Sequence, residues 1–279
     1  MTKMQKNIIL SSLRESFISI WKNKMLFIFL FILQIIFLSL FSIINFKYQS
    51  KIVESSNAIF EYIAKQQLDE ASVSEDLLQR KSVLGEDPLV ISRNFNGIIK
   101  NFRIYMAYLF SLLIAFLSAS WALTNKFAGK VNFRQLANIA FKNLVISLFY
   151  LGLIFIFLFS LLNVSSIQLT ADSSAFFAKL TIFIIISTTL SYFMPVSLSL
   201  AGKIYFKDIV QKTLMIGIKR MHYVLAAYFI NILFLAIPLF FAHYFFERSA
   251  FVFFMALIAV IFSFVSGRIL VINVVGRLD

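Results

Sequence analysis

The sequence predicts an all-α integral membrane protein with six transmembrane helices. They group into three repeats of a cytoplasmic amphipathic helix plus a transmembrane hairpin, with an external helical hairpin inserted after the first span. Three observations lead there. Hydrophobic residues make up 60% of the 279 and charged residues 14%, with Phe alone occurring 35 times. Soluble domains are about half apolar and about a quarter charged, and none has interior enough for such a load. Apolar runs long enough to cross a bilayer, about 20 residues each, occur six times. The net charge of +13 falls entirely between alternate spans.

The predicted spans are Met25–Phe46, Ile104–Thr124, Leu144–Leu162, Leu180–Ala201, Tyr223–His243 and Phe251–Val275. The first apolar stretch is too long for a cleavable signal and lacks a small-residue cleavage site, so it reads as a retained anchor. Ser266, Gly267 and Arg268 are placed to close the sixth span early, leaving the last residues as an interfacial tail. Together the residues form a single membrane domain, 1–279, interrupted by the insertion 47–102.

Charge orients the chain. Lys3, Lys6, Arg14, Lys22 and Lys24 precede the first span, and Lys126, Lys130, Arg134 and Lys142 follow the second. Lys203, Lys207, Lys212, Lys219 and Arg220 follow the fourth, and Arg268 and Arg277 close the chain. This set holds 16 basic and 3 acidic groups, whereas the other connections hold 10 of each. The positive-inside rule then places both termini in the cytoplasm of a multi-pass cell-membrane protein. Basic residues so distributed serve anionic headgroups, each at about 1 kcal/mol, and argue against nucleic acid as a partner.

Two nonapeptides, AGKVNFRQL from Ala128 and AGKIYFKDI from Ala201, match in character 73 residues apart. Each follows an apolar run and leads into an amphipathic segment ending in a basic cluster: RQLANIAFKN and QKTLMIGIKR, with RESFISIWKN as a third copy near the N-terminus. Apolar positions recur at helical spacing: Leu10, Leu13, Phe17 and Ile20; Phe133, Leu136 and Ala140; Phe206, Ile209, Thr213 and Ile216. Gly129 and Gly202 are expected to let the chain turn into the membrane plane. Trp21, Lys22, Lys130, Lys142, Lys203, Lys219 and Arg220 are expected to anchor these segments at the headgroups.

The stretches SLRESFISIWKNKMLF and IKRMHYVLAAYFINILFLAIPLF resemble the membrane domain found beside some glycerophosphodiester phosphodiesterases, and related prokaryotic membrane families without an assigned activity. The resemblance covers about two thirds of the chain and implies a helical membrane bundle. The soluble phosphodiesterase of those relatives is not among these residues, so no enzymatic role carries over.

The first connection, Lys47–Phe102, holds 7 basic and 8 acidic groups. Apolar spacing carries the first span on as a helix beyond the membrane. Gly85, Asp87 and Pro88 mark a break and restart. The segment reads either as a spacer or as a docking stalk for a protein partner, with Ala71–Leu84 as its tip.

Catalytic patterns are absent from the sequence: no HExxH, nucleophile elbow, phosphate loop, paired carboxylates or cysteine. His222 and His243 stand at opposite ends of one span, about 31 Å apart at helical rise, too far to share a metal. No cofactor is implied. Neutral polar residues remain as a candidate intramembrane cluster: Gln34, Asn231, Ser187, Ser191 and Pro195. Aligning the basic turns sets Gln34 and Asn231 at equivalent depth, where they are expected to bond each other or line a cavity. Pro195 is expected to kink its span. The leading reading is a non-catalytic membrane protein organising protein partners or lipid. The alternative is a permease, or the membrane subunit of a transporter for a neutral or lipidic solute.

Topology can be read directly. Cysteines introduced at Ser74 and Ser165 should react with an impermeant thiol reagent added to sealed cells, and one at Asn132 should not. Labelling at Asn132 would reverse the orientation.

Overall fold

The computed structural model describes residues 3–72, 89–128, 132–162 and 173–279. These form eight α-helices: α1 (Lys3–Lys22), α2 (Lys24–Ser72), α3 (Leu89–Ala128), α4 (Phe133–Leu162), α5 (Ser173–Leu200), α6 (Phe206–Lys219), α7 (Met221–Phe245) and α8 (Ala250–Leu278). Six of them, all but α1 and α6, are long and apolar enough to cross a membrane. Each covers one of the predicted spans, the fourth to within one residue at Ala201, and the architecture is that of a multi-pass membrane protein. Gly129, Lys130, the tip 73–84, the turn residues Gly85, Asp87 and Pro88, and Ser165 lie outside the described residues.

Residues 37–112 form one compact unit and the remainder another. In the smaller unit, α2 continues without interruption to Ser72, as the apolar spacing predicts, and α3 is described from Leu89 onward. Their pairing rests on aromatic contacts. Tyr48 is buried against the rings of Tyr105 and Tyr108, with centroids 6.2 and 5.8 Å away, and the Tyr105 hydroxyl donates to Asn45 Oδ1 at 3.4 Å.

In the larger unit α7 and α8 form the most extensive pair, while α1 lies against α8, and α5 against α4, α6 and α8. Val196, Leu198, Leu200, Ile216, Val271 and Val275 make the main core. It sits at the end of the bundle where the basic clusters gather, referred to below as the basic end.

The sequence places a break before each of three spans, and the structure has two. The chain breaks at Asn23 and at Arg220, whose N–H groups bond back to Ser19 O and Ile216 O. At Lys142–Asn143 there is no break, and α4 runs through. The physical reason is continuity of its buried face. Ile139, Asn143, Ile146 and Ser147 follow one stripe straight across the expected turn. Lys142 Nζ meanwhile donates to Ala201 O and Ile204 O at 3.4 and 2.9 Å, satisfying carbonyls just beyond α5.

Gly202 lies in a turn, as expected, with the Lys203 N–H bonding back to Leu200 O at 2.9 Å. It also permits a close approach, because a Cβ there would stand 3.0 Å from the Asn125 side chain, whose Nδ2 donates to Leu198 O at 3.0 Å.

Proline shapes two helices. Pro195 lies inside α5, which continues through it. Pro238 lies inside α7 and lacks the N–H that would bond Phe234 O. Ser263 of α8 answers that carbonyl, its Oγ lying 2.7 Å from Phe234 O and 2.8 Å from Ala259 O.

Replacing Ser263 with Ala should therefore cost about 1–3 kcal/mol, because a buried carbonyl loses its donor. Adding Pro238→Ala should recover much of the loss by restoring the backbone donor. The exposed Ser111→Ala should stay within about 0.5 kcal/mol of wild type. Unfolding in lipid-detergent mixtures reads all four, and absence of rescue would separate Ser263 from the proline.

Candidate functional site: a polar layer in the bundle interior

Gln34 lies ten residues after the start of α2, Asn231 ten after the start of α7, and Arg268 ten before the end of α8. The start of α7 packs against the last turns of α8, Tyr223 and Ala227 with Leu270 and Val274. At 1.5 Å per residue, each of the three side chains stands about 15 Å along its helix from the end named, half the thickness of a hydrocarbon core. The sequence leaves the sixth span either running to Val275 or closing early at Ser266–Arg268; in the structure α8 does not stop there but continues to Leu278. The small and charged residues that look like a terminus face neighbouring helices. Gly267 is where Asn231 comes closest, and a Cβ there would lie 3.1 Å from the amide.

The two amides do not bond each other. Asn231 Nδ2 donates to Gly267 O at 3.1 Å, and Gln34 Oε1 accepts from Arg268 Nη2 at 3.3 Å. They reach consecutive residues of α8 from different helices. The expected partnership at shared depth thus becomes a layer organised by α8. The Arg268 guanidinium also stands 5.5 Å from the Phe116 ring of α3. Its Nε and the Asn231 Oδ1 are buried without a hydrogen-bond partner. Among the six predicted spans Arg268 is the one Lys, Arg, Asp or Glu. An Arg at mid-depth costs about 2.5–3.5 kcal/mol on insertion scales, and the chain places no carboxylate there to offset it.

The remaining members of the expected cluster are elsewhere. Ser191 is exposed, Pro195 is half-buried, and the Ser187 hydroxyl is buried without a partner. The polar residues of α5 that do gather are Ser197 and Ser199, six and eight residues beyond Ser191. Ser197 Oγ lies 2.9 Å from the Tyr150 hydroxyl and 3.1 Å from Thr213 Oγ1. Tyr192 donates to Gly217 O and Tyr228 to Tyr192 O, both at 2.7 Å. This hydroxyl network ties α4, α5, α6 and α7 together. Its signal in the sequence is the run of Ser, Thr and Tyr through α5, which names a polar face but not its partners. Asn143 and Ser147, one turn apart on α4, are fully buried and carry no hydrogen bond to any side-chain atom.

At the basic end, α1 and α6 each expose large apolar residues, and the fully buried positions of α1 are serines. Ser12 and Ser16 face the bundle, and Asn273 Nδ2 donates to Ser16 Oγ at 2.9 Å. Leu10 and Phe17, expected on the inner stripe, are exposed, as is Trp21 at 74%. In α6 Ile209, Thr213 and Ile216 are buried as expected, but Phe206 is exposed with Val210, Leu214 and Ile218. Among the anchors, Lys24 Nζ stacks 4.3 Å over the Trp21 ring, and Lys22, Lys203, Lys219 and Arg220 are exposed. Arg277 bonds Glu15 at 2.8 Å and also contacts Ser11, while Lys212 pairs with Asp279. Partial burial lowers the pKa of Lys203 below the usual lysine value, and Asp279 and Glu15 act against that shift.

A cavity of about 430 Å³ opens between α7 and α8, lined by apolar side chains with only Ser263 and Ser266 as polar members. Neither Gln34, Asn231, Ser191 nor Arg268 lines it. No cluster of His, Asp or Glu suited to a metal occurs among the described residues.

No family model, curated protein or solved structure matches this chain. Its functional reading rests on its own residues.

The layer makes a distinctive prediction. Gln34→Leu should destabilise the bundle by about 1–3 kcal/mol, by stranding a guanidinium. Arg268→Leu should be neutral or stabilising, since it removes a poorly compensated charge, and in that background Gln34→Leu should lose its cost. Gln34→Leu and Asn231→Leu should add to within about 0.5 kcal/mol, having no shared bond. Strong coupling between the two amides, with none between Gln34 and Arg268, would contradict the layer.

Proposed function

We propose that this chain is a non-catalytic multi-pass membrane protein that organises lipid or protein partners through its basic end. The observation that carries this reading is the exposed apolar face that α1 and α6 present beside basic residues. Phe17, Trp21, Val210, Leu214 and Ile218 point outward beside Lys22, Lys207, Lys219 and Arg220, while Ser12, Ser16, Ile209, Thr213 and Ile216 point in. Such helices suit the boundary between acyl chains and anionic headgroups, not bulk water. On this reading the basic end is cytoplasmic, both termini lie there, and α2 and α3 extend to the outside as an insertion open to a further partner.

We also read α1–α3 and α6–α8 as repeats of one unit, each a short helix followed by a hairpin. The breaks at Asn23 and Arg220 support it, as does the equal spacing of Gln34 and Asn231 from their helix starts. The second unit, α4–α5, has its short helix fused to the span.

A permease would need a water-accessible cavity at the polar layer. The apolar lining of the α7–α8 cavity favours the organising role instead.

Two measurements test this reading. Trp21 fluorescence should be quenched more by lipids brominated near the glycerol level than by an aqueous quencher. Cysteines at Gln34 and Asn231 should resist a small hydrophilic thiol reagent from either side of sealed vesicles. Rapid modification at both, protected by a solute, would replace this role with transport.

A further inference from the structure

We propose that Arg268 is the anchor of an intramembrane binding site for an amphiphilic monocarboxylate, a molecule of the fatty-acid class. This goes beyond the organising role and does not depend on it.

The argument begins with charge. Arg268 is the one charged group in the six predicted spans, and no Asp or Glu lies in any of them. Its surroundings supply one neutral acceptor, Gln34 Oε1 at 3.3 Å, and the Phe116 ring at 5.5 Å. The Nε–H has no acceptor. Neutrality at this depth therefore needs one negative charge from outside the chain. The free N–H edge of a planar guanidinium matches a carboxylate, which accepts two parallel hydrogen bonds.

Depth and setting select the carrier. An inorganic anion would leave its hydration shell for a single guanidinium, since the nearby Asn231 amide already donates to Gly267 O. A carboxylate on an alkyl chain is brought to this depth by its own apolar surface. A carboxylate on a partner's transmembrane helix fits less well. Arg268 leaves α8 on the side opposite the open α7–α8 cavity, and its guanidinium lies against Gln34 of α2 and Phe116 of α3, so a carboxylate on a flexible chain reaches it with less rearrangement than one fixed on a rigid partner helix.

The test uses the full chain in phosphatidylcholine nanodiscs with oleate ¹³C-labelled at its carboxyl carbon. A bound carboxyl resonance, distinct from bilayer oleate, should saturate at one equivalent. It should also remain ionised at a lower pH than the bilayer pool. Arg268→Gln should weaken binding by about tenfold or more, the loss of a charge-assisted pair. Gln34→Glu supplies the missing carboxylate from within the chain. It should expel oleate to the same degree while raising the thermal midpoint, so the proposal stays exposed even if Arg268→Gln fails to fold. Methyl oleate should not compete. Equal binding by wild type and Arg268→Gln, retention of oleate by Gln34→Glu, or effective competition by methyl oleate would each overturn the proposal. It would also be overturned if oleate failed to bind while a co-purifying single-span protein was lost from both variants.

Discussion

Hydrocarbon offers no hydrogen bonds, so every polar group in a spanning helix has to be answered by protein. Many hydroxyls of the chain meet this constraint in one way, with Ser147 and Ser187 among the exceptions. Ser16, Ser111, Ser118, Thr124, Thr181, Thr189, Ser197, Ser199 and Ser266 each donate to the carbonyl four residues earlier. Their hydroxyls are thereby silenced within a helix, and neighbours are free to approach over small side chains. The longer-range polar contacts build on that background. Ser263 answers the carbonyl that Pro238 frees, Asn125 joins α3 to α5, and Tyr150, Ser197 and Thr213 join α4, α5 and α6.

The same constraint explains what was legible in the sequence. Spans of twenty apolar residues follow from bilayer thickness, so six runs give six long helices. Tyr48, Tyr105 and Tyr108 were not legible as a cluster, because aromatic residues are spread along both helices and only the antiparallel pairing brings these three together. The fused α4 was equally hidden. Lys142–Asn143 looks like Lys22–Asn23, and only contact with α5 makes the lysine a cap for another helix rather than the end of its own. The inner face of α1 differs from the expected stripe, with Leu10 and Phe17 exposed, for a reason of solvent. Burying the largest apolar residues inward is the rule in water, whereas a helix at a lipid boundary can turn them outward.

Arg268 shows the limit of a charge count. In sequence it belongs with Arg277 and Asp279, and Gly267 beside it looks like a stop. Gly267 instead marks the approach of Asn231. Gln34 and Asn231 share a depth, as their spacing from the basic turns implies, yet both bond to the helix between them. Depth can be read from residue counts, but the direction of a side chain depends on which helix lies next to it.

The central claim is that α8 carries Arg268 into a dry interior. A nitroxide at Phe264, four residues further from the basic end than Arg268, tests it most directly when compared with one at Arg277. In vesicles, Phe264 stands about 21 Å from the end of its helix at 1.5 Å per residue. The account predicts high collision rates with oxygen and very low rates with a polar nickel chelate at Phe264, and the reverse at Arg277. Nickel accessibility at Phe264 equal to that at Arg277 would contradict it.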